Sequence, residues 1–131
     1  MLSAAGKYST ICIASLFALA GCSATGLSDT AGLVRLTRSE PDLQKCRFLG
    51  DATGSQGDFL FGSITSNSAL ETGARNDLKN KAASMGGNVV YLLTDRAGQT
   101  ANDGELRQTN VTISGGVYAC AEPASQALGK K

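Results

Sequence analysis

The most regular hydrophobic pattern lies in the middle of the chain and predicts a helix over residues 67–85. Apolar side chains recur every three or four positions and fall within about 120° of arc on one side of that helix. They are Leu70, Ala74, Leu78, Ala82 and Met85. Ser68 and Glu71 have the spacing of a capping box at the helix start. Gly86 and Gly87 follow the last apolar position and predict a left-handed C-cap.

The other side of this helix is polar and charged. Glu71 with Arg75, and Asp77 with Lys81, stand four residues apart in the favourable order. Each such pair contributes only ~0.2–0.5 kcal/mol to the stability of a helix. We therefore expect the polar face over residues 75–81 to be solvated, with a polar docking surface as the alternative.

Four further segments have strand character. They are Leu33–Thr37, Cys46–Thr53, Asn88–Thr94 and Thr109–Cys120. The third is a nearly continuous apolar run, typical of a central strand buried on both faces. Gly115 and Gly116 predict a bulge in the last strand, whereas residues 95–106 are polar and predict a mobile loop. Together these elements predict an α+β two-layer sandwich of about four mostly antiparallel strands and one main helix.

The first 21 residues have the pattern of a leader. The apolar run Ile11–Ala20 is too short for a bilayer span, which needs ~20 residues, and suits a signal-peptide core. It ends in Leu19-Ala20-Gly21-Cys22, which resembles the bacterial lipobox. We expect residues 1–21 to be removed and Cys22 to carry diacylglycerol and an N-acyl chain. An ordinary secretory signal with a chance cysteine, or a buried helix, is the alternative.

This leader predicts the organisation of the whole chain. Residues 22–32 are small and polar and are expected to form a flexible tether from the lipidated Cys22. Residues 33–122 are expected to form one α+β domain, and residues 123–131 a disordered tail. Ser23 stands where bacterial lipoproteins retained in the inner membrane carry Asp, so resemblance to this sorting rule implies the outer membrane, with the head facing the periplasm.

The cysteines can be assigned by elimination. Of four, Cys12 lies in the leader and Cys22 is expected to carry lipid, which leaves Cys46 and Cys120 as a pair in an oxidising compartment. A bridge between them closes a loop of about 75 residues and contributes ~4 kcal/mol in the chain-entropy model. The alternatives are a redox-active pair, although the Cys-x-x-Cys spacing is missing, and a thiolate metal site, which two cysteines without histidine cannot complete.

Composition narrows the possible functions. The chain has 131 residues, 12 Lys and Arg, 11 Asp and Glu, and neither His nor Trp. Without His, the Ser-His and Cys-His nucleophile schemes are excluded and the commonest zinc ligand is missing. The balanced, scattered charge provides no field to attract nucleic acid. We expect no metal, no cofactor other than the covalent lipid, and no nucleic-acid partner.

Two groups of residues are candidates for function outside the leader. Phe59-Leu60-Phe61 is interpreted as core packing, with a contact to a partner or membrane as the alternative. An enzyme would need carboxylates gathered at a cleft. By position, four residues could supply them: Asp51, Asp58, Asp77 and Asp95.

Four sequence blocks occur in a specific order. They are Cys46-x-x-Leu49-Gly50, Ala52-Thr53-Gly54, residues 73–91 and Gly116-Val117-Tyr118-Ala119-Cys120. In this order they resemble the YjeI-type bacterial lipoproteins, a family described as a domain of unknown function, over roughly Val34 to Cys120. The chain is more distantly similar to the outer-membrane lipoprotein that senses envelope stress for the Rcs phosphorelay. The similarity lies in a helix that ends in Met before two small residues and a buried strand, and in a closing Cys. That sensor carries extra cysteines that this chain lacks.

These observations lead to one functional hypothesis. We expect an outer-membrane lipoprotein whose head is not an enzyme and binds a periplasmic or outer-membrane protein, as an envelope-stress accessory or sensor module. The candidate partner surface is formed by Phe59, Phe61, Arg75 and Lys79. The alternatives are an enzyme that acts on an envelope polymer through Asp carboxylates and a purely structural coat lipoprotein.

Overall fold

Four strands and one long helix make up residues 24–58 and 60–121, the part of the chain that the computed structural model describes. The elements in chain order are the 3-10 helix Thr30–Leu33, β1 Arg35–Thr37, β2 Cys46–Gly57, the 3-10 helix Gly62–Ile64, α1 Asn67–Ser84, β3 Val89–Asn102 and β4 Glu105–Cys120. The strands form one sheet in the order β1-β3-β4-β2, and α1 packs on one of its faces. β1 is parallel to β3, and the other two pairings are antiparallel. The predicted α+β fold with one main helix is confirmed.

Several predictions concern residues outside this part of the chain. The leader, Cys22, Phe59 and residues 122–131 lie outside the described residues, so what the sequence indicates about them stays a prediction. Within the described ranges, no helix combines the length and the apolar character that crossing a bilayer requires.

α1 begins at Asn67, and its N-cap is Ser66 rather than the predicted Ser68. The backbone of Ser66 is extended, and its hydroxyl accepts a hydrogen bond from the Ala69 N–H at 3.2 Å. The predicted capping box is therefore wrong. Both positions hold serine, so the sequence alone did not reveal which residue would leave the helical conformation.

The other end of α1 confirms the predicted glycine cap. Gly86 adopts a φ of 81°, in the left-handed region. Its N–H donates to the carbonyl of Ala83, and the N–H of Gly87 donates to that of Ala82, both at 2.9 Å. These two bonds form a Schellman motif, which satisfies carbonyls that the last turn of a helix leaves unpaired.

β3 and β4 form a long hairpin, so the predicted mobile loop over residues 95–106 is wrong. Asp103 and Gly104 connect the strands with φ values of 51° and 81°, as in a two-residue type I′ turn, whose twist matches that of the flanking strands. Most side chains in the outer part of this hairpin are exposed, so no apolar alternation marks it as strand. The Asp-Gly pair was the signal that could have identified it.

The predicted bulge at Gly115 and Gly116 is also wrong. Both lie in the regular pairing of β4, and the bulges fall elsewhere, at Leu49 of β2, Leu93 of β3 and Thr109 of β4. A Cβ on Gly115 would stand 2.6 Å from the Tyr91 carbonyl oxygen, so this glycine permits close packing. The prediction that Asn88–Thr94 is buried on both faces does not hold along its whole length, because Leu93 is largely exposed.

The core lies between α1 and the sheet and contains no aromatic ring. Its buried members are Val34, Ala52, Leu70, Ala74, Leu78, Ala82, Val90, Val111, Ile113 and Val117. α1 meets β2 most closely at Gly54, where an added Cβ would overlap the Ala74 carbonyl oxygen and the Leu78 nitrogen. Glycine at this position therefore lets the helix backbone rest directly on the strand.

A disulfide joins the start of β2 to the end of β4. Cys46 and Cys120 are 74 residues apart in sequence and stand directly opposite each other in the antiparallel pairing. The predicted pair is confirmed. On the sheet face that α1 leaves open, Phe48 packs against Tyr118 in an edge-to-face arrangement with ring centroids 5.3 Å apart.

Two charged residues of α1 cover part of the free edge of β2. Asp77 accepts a hydrogen bond from the Ser55 N–H at 2.9 Å, and Lys81 donates to the Thr53 carbonyl at 2.7 Å. Asp77 and Lys81 also pair with each other at 2.8 Å, as their spacing predicted. Unpaired strand edges promote pairing with other chains, and these contacts blunt that tendency.

The close approach at Gly54 can be tested by adding one methyl group. We expect Gly54→Ala to lower the free energy of unfolding by about 1–3 kcal/mol, because the new Cβ would overlap helix backbone that cannot rotate away. The measurement is urea unfolding of the oxidised protein. Gly26→Ala is the matched control, because no atom lies within 4 Å of its added Cβ. Equal stability of the two variants would contradict the close approach.

Candidate functional site

A short N-terminal segment, residues 25–33, crosses α1 on the side away from the sheet, and we call it the strap. It starts beside β2 at one edge of the sheet and leads into β1 at the opposite edge. Between these ends it is hydrogen-bonded to α1. The strap therefore forms a partial third layer over the helix.

The first residue of the strap is held by two amide side chains. Gln56 of β2 accepts hydrogen bonds at Oε1 from the N–H and the hydroxyl of Thr25, at 3.0 and 2.5 Å. Asn76 of α1 donates from Nδ2 to the Thr25 carbonyl at 2.7 Å. Gln56 reaches this position because Gly73 lies beneath it, where a Cβ would overlap its side chain. A strand and a helix thus fix Thr25 together.

The following strap residues are held by Asn80, one helical turn further along α1. Its Nδ2 donates to the Gly26 carbonyl at 2.8 Å, and its Oδ1 accepts from the Ser28 N–H at 2.9 Å. Ala31 then inserts fully into the domain, and Val34 joins the core directly after the strap. The strap is anchored by polar contacts at its start and by apolar burial at its end.

The strap lies largely within the range 22–32 that was predicted to be a flexible tether. Its small polar residues fit that prediction, but their backbone groups find partners on α1. The helix face predicted to be solvated is correspondingly covered in part by the strap. The signal that could have revealed this is the pair of amides Asn76 and Asn80, which stand four residues apart and so share one side of a helix.

An open groove of about 500 Å³ runs between α1 and the segment that leads from the strap into β1. Its lining includes Leu33, Leu36, Arg35, Arg75 and Lys79, and no acidic residue contributes to it. Arg75 does not form the predicted ion pair with Glu71 among the described residues. The groove therefore combines apolar side chains with positive charge.

The loop between β2 and α1 displays apolar side chains to solvent. Leu60 is 62% exposed, Phe61 58% and Ile64 73%. The interpretation of Leu60 and Phe61 as core residues is therefore wrong. The structure also does not bring Phe61 together with Arg75 and Lys79, since Phe61 precedes the helix whereas the two cations line the groove.

Local contacts explain why this loop turns its side chains outward. Asp58 Oδ1 accepts hydrogen bonds from the N–H groups of Leu60 and Phe61, both at 2.8 Å, which closes a turn. Gly62 packs so closely on Thr109 of β4 that a Cβ would overlap the Thr109 carbonyl. The backbone of the loop faces the domain, so the larger side chains project away from it.

The four aspartates considered for catalysis lie on four different elements. Asp51 is exposed on β2, near Gly116 on the open sheet face, and Asp77 lies on α1. Asp58 closes the loop turn described above, and Asp95 of β3 stands 3.7 Å from Arg38. Asp58 and Asp77 thus accept backbone hydrogen bonds that organise the fold, and Asp95 forms a surface ion pair. Within residues 24–58 and 60–121, no group of three or more His, Cys, Asp or Glu side chains is arranged to hold a metal ion.

Comparison with known proteins identifies the family. The model of a domain of unknown function, DUF4156, matches residues 25–120. The chain belongs to the DUF4156 family. The region that matches this family begins at Thr25, where the strap is fastened, and ends at Cys120 of the disulfide.

The chain is also similar in sequence to two bacterial proteins called YjeI. It is 35% identical over 118 residues to "Uncharacterized protein YjeI" of Escherichia coli strain K12, covering 87% of this chain and 96% of the relative. The same identity and coverage hold for the protein of that name in Shigella flexneri. The resemblance to the YjeI-type family is confirmed, and the molecular role of that family is unknown.

The strap can be loosened by removing one side chain. We expect Asn80→Ala to eliminate two hydrogen bonds, which together contribute about 1–3 kcal/mol, and to speed amide hydrogen exchange at Ser28. Global stability is a poorer measure, because alanine also favours the helix by up to ~0.7 kcal/mol. Glu71→Ala on the same helix is the control. Unchanged exchange at Ser28 in Asn80→Ala would show that this amide does not hold the strap.

Proposed function

We propose that this protein is an outer-membrane lipoprotein, fastened through lipid on Cys22, whose disulfide-closed head is a non-enzymatic binding module in the periplasm. The observation that carries the proposal is the short apolar leader ending in Leu19-Ala20-Gly21-Cys22, directly before a folded head. The distant similarity to the Rcs envelope-stress sensor lipoprotein favours an accessory or sensor role. Ser23 after the lipidated residue favours the outer membrane.

Two features of the head support binding rather than catalysis. The aspartates that an enzyme would need lie on separate elements, and two of them, Asp58 and Asp77, are engaged by backbone N–H groups. By contrast, the groove beside α1 offers Arg75 and Lys79 together with the apolar Leu33 and Leu36. Such a surface suits an acidic partner that also presents apolar side chains, because charge complementarity steers association while apolar burial provides affinity.

The anchor is tested by replacing the lipid-accepting thiol. We expect Cys22→Ser to release the protein into the soluble periplasmic fraction, because the head would lose acyl chains that each contribute ~0.8 kcal/mol per buried methylene. The measurement is membrane fractionation of the native host. Cys46→Ser with Cys120→Ser is the control, since it removes the disulfide and leaves Cys22 in place. Retention of Cys22→Ser in the membrane pellet would exclude lipid on Cys22 as the anchor.

The binding face is tested by crosslinking inside the cell. A photo-crosslinking amino acid at position 79, in the groove, is expected to capture a defined protein at native expression. The same group at position 96, an exposed site on β3, is the control and should capture none. We expect Arg75→Glu to weaken the adduct at least tenfold, because like charge would then face an acidic partner. A blank result at position 79 would count against the binding role.

A further inference from the structure

The folded head begins almost immediately after the lipidated residue. Thr25 is fixed by Gln56 and Asn76, and only Ser23 and Ala24 separate it from Cys22. Three residues of fully extended chain span at most about 11 Å. On the proposed function, the acyl chains on Cys22 must therefore enter the membrane within roughly this distance of Thr25.

The point of attachment lies close to the exposed apolar loop. Gln56, which holds Thr25, stands two residues before Asp58, and Asp58 closes the turn that presents Leu60 and Phe61. We call Leu60, Phe61 and Ile64 the apolar patch. The end of β2 that holds the strap therefore leads into a loop with three large apolar side chains exposed to solvent.

The composition of this region suits contact with lipid. No charged residue occurs between Asp58 and Glu71, so the loop can approach the acyl region without the cost of burying a charge. Among the described residues, Leu106 of β4, 70% exposed, is the one apolar residue lining a neighbouring groove, whose other lining residues, among them Ser63, Thr65 and Arg107, are polar or charged. Apolar side chains exposed singly are common, whereas a contiguous group indicates an interaction surface.

We infer that the apolar patch rests in the lipid interface beside the acyl chains of Cys22, so that the membrane itself is the partner of this surface. This inference rests on the proposed lipid anchor. Because the anchor keeps the patch at high effective concentration near the bilayer, contact requires little affinity of its own. The strap, which joins anchor to head, thereby sets the orientation of the head.

The orientation determines which surfaces are free. β2 has 12 residues and leads away from the apolar patch for roughly 35–40 Å to the disulfide. The disulfide end, together with Leu43 in the turn before β2, is expected to lie far from the bilayer. The head would then stand on the membrane by the loop end, with its far end available in the periplasm.

The absence of tryptophan from the chain makes this orientation measurable. The lipidated protein carrying Phe61→Trp is reconstituted in phosphatidylethanolamine–phosphatidylglycerol vesicles that contain acyl-brominated phosphatidylcholine. Its single Trp is expected to emit at shorter wavelength and to be quenched several-fold more than that of Leu43→Trp, because interfacial apolar groups sit roughly 5–10 Å deep. Leu43 is the matched control, since it is 66% exposed at the opposite end of β2. Ile64→Trp is a second reporter within the patch.

Mass spectrometry of the same samples separates the possible failures. A bare thiol at Cys22 would overturn the proposed anchor and this inference together. Lipid on Cys22 with equal quenching at positions 61 and 43 would overturn the orientation alone. A shift to shorter wavelength at position 61 without bromine quenching would mean that protein, a second copy or another partner, covers the patch, and would overturn the assignment to lipid.

Discussion

The close contact between α1 and β2 at Gly54 is the constraint on which the rest of the head depends. With no side chain at Gly54, the helix backbone rests on the strand, and Leu70 and Leu78 can reach the valines and isoleucine of β4. The same approach brings Asp77 and Lys81 over the free edge of β2. A core made of small aliphatic residues tolerates little error in this spacing, because protein interiors are packed as densely as organic crystals.

The strap depends on a second close contact between α1 and β2, at Gly73 and Gln56. Gln56 can cross the helix to reach Thr25 only because Gly73 leaves room for it, and Asn76 and Asn80 complete the hold from the helix side. The disulfide acts at the opposite end of β2 and constrains the unfolded chain, a contribution of ~4 kcal/mol for a loop of this length. Each strap hydrogen bond contributes only about 0.5–1.5 kcal/mol. The disulfide therefore supports the whole domain, whereas the strap determines where the N-terminal part of the chain leaves it.

The elements predicted correctly from sequence are those with strong local signals. α1 has an apolar stripe and a glycine cap, and the cysteines leave a single pairing once the leader is assigned. The arms of the β3–β4 hairpin were missed because they extend beyond the core, where exposure on both faces removes the apolar alternation that identifies a strand. Phe61 was placed in the core because aromatic residues are usually buried in small domains. The turn closed by Asp58 and the close packing of Gly62 on Thr109 reverse that expectation.

The sequence by itself determined the fold class, the helix, four strand segments, the disulfide pair and the family resemblance, because each is specified by spacing, backbone preference or elimination. Only the tertiary structure decided which polar residues on α1 face water and which bind the strap. The contacts of Asn76 and Asn80 with the strap join residues 51 to 54 positions apart. The local sequence around an asparagine is the same whether its side chain binds a distant backbone segment or only water. The outcome depends on where the N-terminal segment crosses the helix, and the periodicity of the helix does not specify that crossing.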